Sequence, residues 1–394
     1  MNALAELLSL PDSDKNARGL THTPAEIAQQ PDAWLSTFEF FRRKQAEIAE
    51  FLSLAGLDAS PELRPTVFLI GAGTSDYIGQ SLAYLLRKQW QCDVIAVPST
   101  DLLTHRDELL LPEKEYLWLS FSRSGDSPEG VAVLESARKS RPDIHHLVIS
   151  CNAAGRMICE SSDSPRVLGV CLDDAVNDRG LAMTSSFSNM VIFGQCLAHA
   201  NSLVRYEEVL SQLVEAGRNF LPVAADCAST LAKGAYTKAC FVGSGPLRAV
   251  AKESALKLLE LTAGKTLTMS ESVLGLRHGP MAAMDEETLF VCFLSGNRRV
   301  QQYERDLLNE IGKKALVRSR VVVAGSEISS SDSFAEYYLT GNLSSAIGDD
   351  YRPALDVIFG QLLGLFFSLR WSLRPDCPSP NGAISRVVQH INIH

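Results

Sequence analysis

The amino-acid sequence predicts an α/β protein of two tandem domains, each a parallel sheet with helices on both faces. Short apolar runs alternate with segments of helical periodicity along the chain, which is the pattern of such sheets. The pattern occurs twice: Gly71 and Gly243, which both follow an apolar run, are 172 positions apart. Gly125 and Gly296 are separated by a nearly equal 171 positions, so we infer that one α/β domain was duplicated.

The length of 394 residues also favours two or three domains, because one small core cannot organise so long a chain. The net charge of −9 disfavours nucleic acids and anionic membranes as partners, whereas a small phosphorylated ligand needs only local donors. The nine cysteines are scattered without Cys-x-x-Cys spacing, so we expect reduced thiols and a cytoplasmic location. We expect no signal peptide and no membrane span, and the apolar segment near residues 359–369 predicts a buried helix.

The first 45 residues are polar and helix-prone, and we expect an N-terminal helical arm that packs on the body or on a second subunit. Within it, Thr23 is the predicted N-cap of a helix, with Pro24 in the first helical position and Glu26 in the third. Pro31 to Trp34 indicates the start of another helix.

Apolar runs predict five strands in a first domain, residues 46–205, and three in a second domain, residues 206–372. The predicted strands are Val67–Ile70, Asp93–Val97, Tyr116–Leu119, His146–Ser150 and Val167–Val170, then Ala239–Val242, Leu289–Phe293 and Val321–Ala324. We expect the halves to meet near residues 205–222. Residues 373–394 are predicted to form a C-terminal tail that closes over the functional site.

The turn from Ser120 to Pro128 lies between a predicted strand and a predicted helix. Four serine hydroxyls within eight residues, together with one glycine, suit it to an oxyanion. Backbone N–H groups at a helix N-terminus point outward, the helix dipole favours negative charge, and hydroxyls add donors. The alternative is a serine-rich N-cap with Pro128 in the first helical turn. The pattern favours neither, so a phosphate site at Ser122, Ser124 and Ser127 is a hypothesis.

A second turn, with the sequence Gly-Ala-Gly at residues 71–73, follows the first predicted strand. It is similar to the start of a dinucleotide fingerprint, but Asp76 occupies a position that needs Gly or Ala, which disfavours a nucleotide. Thr74 and Ser75 offer hydroxyls instead. Ligands of parallel sheets bind beyond the carboxyl ends of the strands, so we expect both turns to line one pocket. The second half has Asn-Arg-Arg at residues 297–299 and fewer hydroxyls, so we expect the first half to hold the anion.

A helix predicted over Ala249–Leu261 places Glu253, Lys257 and Glu260 on one face, because residues three or four apart are neighbours. The usual meaning of such spacing is a solvated, salt-bridged face. The leucines around Glu260 instead favour its partial burial, which would suit it to abstract a proton beside a carbonyl group. His278 lies in a predicted loop before Gly-Pro. We expect no metal, because the sequence shows no spacing of zinc or iron ligands that we would defend.

Taken together, these motifs resemble the sugar isomerase (SIS) family, over about residues 20–394. The resemblance rests on the turns at residues 71–75 and 122–128 and on the segments 178–186, 253–265, 277–280 and 385–389. The duplication is similar to that of two-domain members, such as the isomerase half of glucosamine-6-phosphate synthase. Within the family, the chain is most similar to a subgroup of galactosamine-6-phosphate deaminase/isomerases.

The resemblance implies two SIS domains, each a five-stranded parallel sheet in a flavodoxin-like, three-layer arrangement. It also implies one site for the phosphate and the sugar. The residues that match this site are Gly73, Thr74, Ser75, Ser122, Arg123, Ser124 and Ser127. Arg123 stands where the synthase has Gln, so its contact is expected to differ.

The resemblance also implies catalytic roles. Glu260 matches the base that moves a proton between C1 and C2, and Lys257 matches a lysine on the same helix face. His278 matches the ring-opening histidine, which in this family comes from the neighbouring subunit, so a homodimer or larger assembly is implied. Arg386 falls near a synthase lysine that reaches the sugar, but a guanidinium stays protonated and is unsuited to imine formation. No cofactor is implied, since the carbonyl of the substrate is the electron sink.

The implied activity converts D-galactosamine 6-phosphate to D-tagatose 6-phosphate and ammonia in amino-sugar catabolism. We expect no glutamine-hydrolysing domain like that of the synthase, which favours breakdown over synthesis. Three alternatives stay open: an aldose–ketose isomerase of a sugar phosphate without nitrogen, a glucosamine-6-phosphate deaminase, and a non-catalytic sugar-phosphate sensor. The presence of both Glu260 and His278 disfavours the sensor.

Overall fold

The chain folds around two parallel β-sheets of five strands each. The computed structural model describes residues 1–328, 333–388 and 391–394, so Gln389 of the tail motif lies outside the described residues. The strands are β1 (Thr66–Gly71), β2 (Val94–Pro98), β3 (Tyr116–Ser122), β4 (His145–Ser150), β5 (Val167–Cys171), β6 (Lys238–Gly243), β7 (Leu267–Ser272), β8 (Thr288–Leu294), β9 (Ser319–Ala324) and β10 (Tyr337–Thr340). The α-helices of the described ranges are α1 (Ala3–Leu8), α2 (Asp12–Arg18), α3 (Thr23–Ala28), α4 (Gln30–Leu54), α5 (Thr74–Trp90), α6 (Ser99–Leu109), α7 (Pro128–Ser140), α8 (Arg156–Cys159), α9 (Ser185–Ala198), α10 (Val204–Ala232), α11 (Pro246–Leu261), α12 (Arg298–Lys313) and α13 (Pro353–Arg370).

The structure divides the chain into two compact units. The first-sheet unit contains Ala33–Asn177, Ser185–Glu207 and Ile384–His394. The second-sheet unit contains Met1–Asp32, Asp178–Thr184 and Glu208–Ala383. Each unit is defined by the contacts among its residues and contains three separate segments of the chain. The domain boundaries expected near residues 45, 205 and 372 stay predictions.

Both sheets have the strand order of flavodoxin-like domains. The first is ordered β2-β1-β3-β4-β5 and the second β10-β9-β8-β6-β7, and all neighbouring strands are parallel. Counted within its own half, each sheet has the order 2-1-3-4-5, as in doubly wound folds of this type. The predicted fold class is therefore confirmed, including the expectation of five strands in each domain.

The central strands are continuous apolar runs because helices cover both faces of each sheet. Every residue of β3 and of β8 is buried. In the first sheet, Phe68 and Trp118 share a buried cluster with Val133 of α7. In the second, Phe290 packs in a cluster with Leu307 of α12. The helices thus complete a hydrophobic core on the sheet of each unit.

The strands β7 and β10 have no counterpart in the sequence prediction. Both lie at the edges of the second sheet. β7 has the sequence Leu-Thr-Met-Ser-Glu-Ser and contains no buried residue, and β10 has only four residues. Edge strands are covered less than central ones, so their apolar pattern is weak and the prediction missed them.

Helix α3 begins at Thr23, and the prediction of Thr23 as its N-cap is wrong. The N-cap is His22, whose side chain makes no capping hydrogen bond. The Thr23 hydroxyl donates instead to the Asp376 carboxylate at 2.8 Å, and the backbone N–H groups of Thr21 and Thr23 donate to the same carboxylate, also at 2.8 Å. A carboxylate 353 positions away along the chain thus takes the role of a local cap.

Glu26 of α3 is a buried carboxylate that contacts the loop Asp178–Thr184. It accepts hydrogen bonds from the backbone N–H groups of Arg179 and Gly180. Burial, together with the negative charge of Asp178, raises the pKa of Glu26 to about 7. The N-terminal segment therefore holds a loop that belongs to one of the motifs typical of the SIS subgroup.

The expected meeting point of the halves lies within one continuous helix, α10. The change from one compact unit to the other, between Glu207 and Glu208, falls in its first turn. Pro222 stands inside this helix. A proline removes one helical N–H donor, and the helix nevertheless continues to Ala232.

Helix α13 is an apolar helix of 18 residues. Length and composition alone would allow it to cross a membrane, but 89% of it is buried inside the fold, as expected of a core helix. Two of its glycines allow α11 to approach closely. A Cβ on Gly360 would lie 2.2 Å from Ser254 Oγ, and one on Gly364 would lie 3.0 Å from the Lys257 carbonyl oxygen. The predicted buried helix is thus confirmed.

The turns after β1 and β6 have the same backbone conformation. Gly73 has φ 56° and ψ −124°, and Gly245 has φ 56° and ψ −128°. Such a positive φ strains residues with a Cβ atom, which accounts for glycine at both positions. This agreement supports the inferred duplication at the level of the main chain.

Candidate active site

The turn between β3 and α7 is the centre of the first-sheet unit's candidate site. We call Ser122–Ser127 the cradle. The backbone N–H of Gly125 donates to Ser122 Oγ at 3.1 Å, and that of Asp126 donates to Ser124 Oγ at 3.1 Å. A serine hydroxyl that accepts in this way retains its own O–H hydrogen as a donor. The two hydroxyls are therefore oriented by the turn and can still donate to an anion.

Ser127 occupies the N-cap position of α7, but its side chain makes no capping hydrogen bond. A Cβ on Gly130 would lie 2.6 Å from Ser127 Oγ, so the hydroxyl lies over the first turn of the helix in the space that this glycine leaves. The N–H groups of the first turn have no partner within a helix and suit an anion. These observations favour the anion site over the serine-rich N-cap.

The cradle is held by the last residue of β4 and by residues that follow this strand, none of which the sequence analysis singled out. Ser150 Oγ donates to the Arg123 carbonyl oxygen at 3.2 Å, and Asn152 Nδ2 donates to that of Ser124 at 2.8 Å. The backbone N–H of Arg156 donates to the Asp126 carboxylate at 2.8 Å. The polar residues at the end of the apolar β4 segment were the signal in the sequence that could have identified them. Because β3 and β4 are parallel neighbours, both strands end on the same side of the sheet, next to the cradle.

The second predicted turn of this unit follows β1, the neighbour of β3 in the sheet. Thr74 and Ser75 are buried at the start of α5, and Asp76 accepts a hydrogen bond from Gln80 at 2.7 Å. Gly73 is exposed, and a Cβ there would meet nothing within 4 Å. Its backbone therefore borders open space that a ligand can enter.

The two turns flank the position where the order of the first sheet reverses. From β1 the chain continues to β2 on one side, and β3 then pairs with the other side of β1. Ligands of open parallel sheets bind at such switch points, beyond the carboxyl ends of the strands. Residues 73–75 and the cradle are thus brought to the same end of the sheet, and the expectation that they line one pocket stays a prediction.

Arg123, in the middle of the cradle, is directed towards the C-terminal tail. Its side chain is only 6% exposed, and Nη2 donates to the backbone carbonyl of Arg386. Nη2 of Arg386 donates in turn to Asn177 Oδ1 at 2.6 Å. The structure therefore places two predicted site residues, Arg123 and Arg386, in direct contact within the first-sheet unit.

In the second-sheet unit, Glu253, Lys257 and Glu260 of α11 form a charged cluster. Lys257 Nζ lies 2.5 Å from Glu260 Oε2 and 3.4 Å from Glu253 Oε1. The side chains of Lys257 and Glu253 are 1% and 0% exposed, and that of Glu260 is 24% exposed. The alternative of a solvated face is therefore wrong, and the predicted partial burial of Glu260 is confirmed. The helix that carries these side chains packs closely against the glycines of α13.

His278 ends a 3₁₀ turn, Gly275–His278, that follows β7. Its ring is exposed. The preceding residue, Arg277, donates to Glu310 of α12 at 2.7 Å, which fixes the turn on the body of the unit. Gly279, with φ 127°, then reverses the chain direction as only glycine does readily.

In the second half, the turns after β6 and β8 correspond to the two predicted turns of the first half, and carboxylates of the protein occupy donors in both. Ser244 Oγ donates to Glu304 at 2.7 Å, and the backbone N–H of Ser295 donates to the same carboxylate at 2.8 Å. Ser295 Oγ and the N–H of Gly296 donate to Asp349 at 2.5 and 2.8 Å. These contacts support the expectation that the anion binds in the first half.

A buried arginine balances this second set of carboxylates. Arg352 is 1% exposed and donates to Asp349 at 2.8 Å and to Asp356 at 2.7 Å. Burial raises the pKa of Glu304 and raises that of Asp356 to about 6. No group of three or more His, Cys, Asp or Glu residues in the described part of the chain is arranged to hold a metal ion.

No family model matches the chain. The D-galactosamine-6-phosphate deaminase AgaS of Escherichia coli O157:H7 is 35% identical over 385 residues, 95% of this chain and 96% of that protein. A Streptomyces coelicolor protein that provisionally carries the same name is 37% identical over 381 residues, 95% of each chain. The crystal structure of tagatose-6-phosphate ketose/aldose isomerase from Escherichia coli matches with a TM-score of 0.83 and 30% identity, and covers 94% of this chain and 96% of that one. The resemblance indicated by the motifs is confirmed, and the chain belongs to the AgaS family of D-galactosamine-6-phosphate deaminases.

Proposed function

We propose that the protein converts D-galactosamine 6-phosphate and water to D-tagatose 6-phosphate and ammonia. The observation that carries this proposal is the similarity to an AgaS deaminase over 95% of the chain. The buried cluster around Glu260 and the hydroxyl-lined cradle supply the two kinds of group that this reaction needs. One is a base for a carbon-bound proton, and the other is a set of donors for a phosphate.

In this proposal the 6-phosphate binds the hydroxyls of Ser122, Ser124 and Ser127 and the N–H groups that begin α7. Hydroxyl and backbone donors at a helix N-terminus stabilise a dianion without a nearby cationic side chain. The turn at residues 73–75 contacts the sugar, with Ser75 as the hydroxyl donor. The orientation of Ser122 and Ser124 by the turn supports this assignment.

Glu260 is the proposed base. In the open-chain aldosamine it removes the proton from C2, the electrons move to the C1 carbonyl, whose oxygen takes up a proton from the substrate's ammonium group, and an enolamine forms. Return of the proton to C1 gives an imine at C2. Water then adds to the imine carbon and ammonia leaves, which gives the ketose. Lys257, within 2.5 Å of Glu260, fixes the carboxylate for the transfer.

His278 is proposed to open the sugar ring in the site of a neighbouring subunit. Its exposed ring, on a turn fixed by Arg277, supports a role outside its own chain. Such sharing requires a homodimer or a larger assembly. Arg386 is proposed to contact the substrate as a donor and not as an imine-forming amine, because a guanidinium does not lose its proton at neutral pH. We also propose a cytoplasmic location.

The second candidate is an aldose–ketose isomerase without ammonia release, because the Escherichia coli protein of similar structure carries that name. One assay separates the two. The purified protein is given galactosamine 6-phosphate, glucosamine 6-phosphate or tagatose 6-phosphate, and ammonia and ketose are measured together. We expect equal amounts of ammonia and tagatose 6-phosphate from galactosamine 6-phosphate. Aldose formation from tagatose 6-phosphate, with no ammonia from either amino sugar, would instead establish the isomerase.

A further inference from the structure

The cradle contacts the C-terminal tail through a hydrogen bond from a charged side chain to the main chain. Arg123 is almost completely buried, and its guanidinium donates to a main-chain carbonyl, that of Arg386. Hydrogen bonds from a charged donor are stronger than those between neutral groups. Because the acceptor is a main-chain group, this hydrogen bond fixes the backbone of the tail and does not depend on the side chain at that position.

A second contact fixes the same tail residue through its side chain. The Arg386 guanidinium donates to Asn177 Oδ1 at 2.6 Å, and Asn177 is buried at the end of the segment that follows β5. Arg386 is therefore held both at its carbonyl and at its guanidinium. Its neighbours contribute little burial, since Ile384 and Val388 are 41% and 51% exposed. Polar contacts at Arg386, and not a hydrophobic core, keep this part of the tail in place.

The geometry points to Arg123 as a positioning residue that couples the cradle to the tail. Ser122 and Ser124, on either side of it, are the hydroxyl residues proposed to bind phosphate. An anion bound to them restrains the turn and thereby the origin of the Arg123 side chain. The docked tail restrains the other end of that side chain. Binding of the anion to the cradle therefore favours docking of the tail, and docking of the tail favours binding of the anion, as linkage requires.

This inference rests on the proposed phosphate site and departs from the family resemblance at one residue. The family resemblance assigns Arg123 to phosphate binding, whereas its contact with the Arg386 carbonyl assigns it to the tail. Arg386 is then presented to the substrate only while the tail is docked. Loss of the Arg123 side chain should lower kcat through Arg386 and leave the binding of phosphate largely unchanged.

Hydrogen exchange of the backbone amides of residues 384–388 tests the coupling directly. The protein is measured with and without inorganic phosphate, as wild type and as Arg123→Met, Arg123→Lys and Arg138→Met. Arg138 is the matched control, because it also donates to a backbone carbonyl in the first-sheet unit, that of Glu160 at 2.9 Å.

In the wild type and in Arg138→Met, we expect phosphate to slow exchange of the tail amides. In Arg123→Met, exchange should be about tenfold faster or more and should not respond to phosphate, since a hydrogen bond from a charged group contributes roughly 1.5–3 kcal/mol. Arg123→Lys should recover part of the protection. The phosphate affinity of Arg123→Met should fall less than about threefold, which corresponds to under 1 kcal/mol.

Two results would overturn the inference. One is tail exchange in Arg123→Met equal to that of the wild type. The other is a loss of phosphate affinity in Arg123→Met without a change in the tail, which would make Arg123 a phosphate ligand. Neither measurement depends on turnover, so an absence of deaminase activity would count against the proposed function and not against the docking of the tail.

Discussion

The ammonium group of Lys257 lies 2.5 Å from the carboxylate of Glu260, one helical turn along α11. A second carboxylate, that of Glu253, lies 3.4 Å from the same nitrogen and is fully buried. One buried cation therefore faces two carboxylates, of which only Glu260 reaches solvent. This asymmetry separates a structural carboxylate from one that can meet a substrate.

Replacement of Glu260 by Gln should abolish most of the activity. The amide keeps the shape of the side chain but cannot accept the C2 proton, and general-base catalysis contributes about 10²–10⁴-fold. Ammonia release should fall by that factor, while the affinity for a phosphate ester, measured by calorimetry, should stay within about twofold. The exposed Glu215→Gln serves as control. A Glu260→Gln enzyme of wild-type rate would remove Glu260 from the mechanism.

Lys257→Met should destabilise the protein, because it leaves the buried Glu253 carboxylate without its cation. Removal of one member of a buried ion pair costs about 3–5 kcal/mol. The double variant Glu253→Gln/Lys257→Met should regain a large part of that loss, since no fully buried unpaired charge is left and the remaining carboxylate, Glu260, reaches solvent. Urea unfolding of the wild type, both single variants and the double variant measures the coupling. Additive losses in the double variant would show that the two side chains do not interact.

Ser127→Ala separates the two interpretations of the cradle serines. If Ser127 binds phosphate, the variant should raise KM about tenfold, since a hydrogen bond to a charged group contributes roughly 1.5–3 kcal/mol, and should leave Tm nearly unchanged. An N-cap serine would behave in the opposite way, with about 1 kcal/mol of lost stability and an unchanged KM. Kinetics and calorimetry on the same preparation decide between them.

Glu26 should make stability depend on pH between about 4.5 and 7. Its pKa in the folded protein is about 7, raised from 4.5 by burial and by Asp178, so the folded state binds the proton more tightly than the unfolded chain. The sign follows: this contribution is present below pH 4.5 and is lost as the pH rises through 7. It amounts to at most about 3 kcal/mol.

The permanently neutral variant Glu26→Gln isolates this contribution. Relative to the variant, the wild type should lose stability between pH 5 and pH 8, and chemical unfolding at several pH values measures the difference. A difference that is independent of pH would mean that Glu26 titrates in the folded protein as it does in the unfolded chain. Asp376 is the other carboxylate whose charge raises the pKa of Glu26, so Asp376→Asn should lower it.

Because carboxylates of the protein occupy the donors in the second half, we expect phosphate to restore stability to a variant that lacks them. The double variant Glu304→Ala/Asp349→Ala removes the acceptors of the partly buried Ser244 and the buried Ser295, at about 1–3 kcal/mol for each lost acceptor. Arg352 remains beside them. Inorganic phosphate should therefore restore part of the lost Tm, in addition to its effect on the wild type. The exposed Asp306→Ala on the same helix is the control, and equal shifts in all three proteins would contradict the prediction.

The sequence predicted the parts of the fold that are set by continuous apolar runs. The strands on either side of the cradle, β1 and β3, and the turns that follow them were identified because buried strands and helix starts have local patterns. β7 was missed, since an edge strand with polar residues lacks that pattern. The resemblance to the SIS family supplied the strand number that local patterns could not.

Contacts between distant parts of the chain were beyond local patterns. The hydrogen bond from Arg123 to the Arg386 carbonyl joins residues 263 positions apart, and that from Gly180 to Glu26 joins residues 154 positions apart. The sequence placed Glu26 in the first turn of a helix, whereas in the structure its carboxylate accepts hydrogen bonds from the loop at Arg179 and Gly180. Side-chain partners of this kind depend on how distant segments pack together, and local sequence patterns contain no information on that packing.

The matching torsion angles of Gly73 and Gly245 have a practical meaning for protein engineering. The main chain of the second turn is already shaped as in the first, although its flanking residues are Ser244 and Pro246 in place of Ala72 and Thr74. Grafting a ligand-contacting loop into the second copy would thus need side-chain exchanges only, since the scaffold requires no remodelling there. A bivalent sugar-phosphate binder could be designed from this chain on that basis.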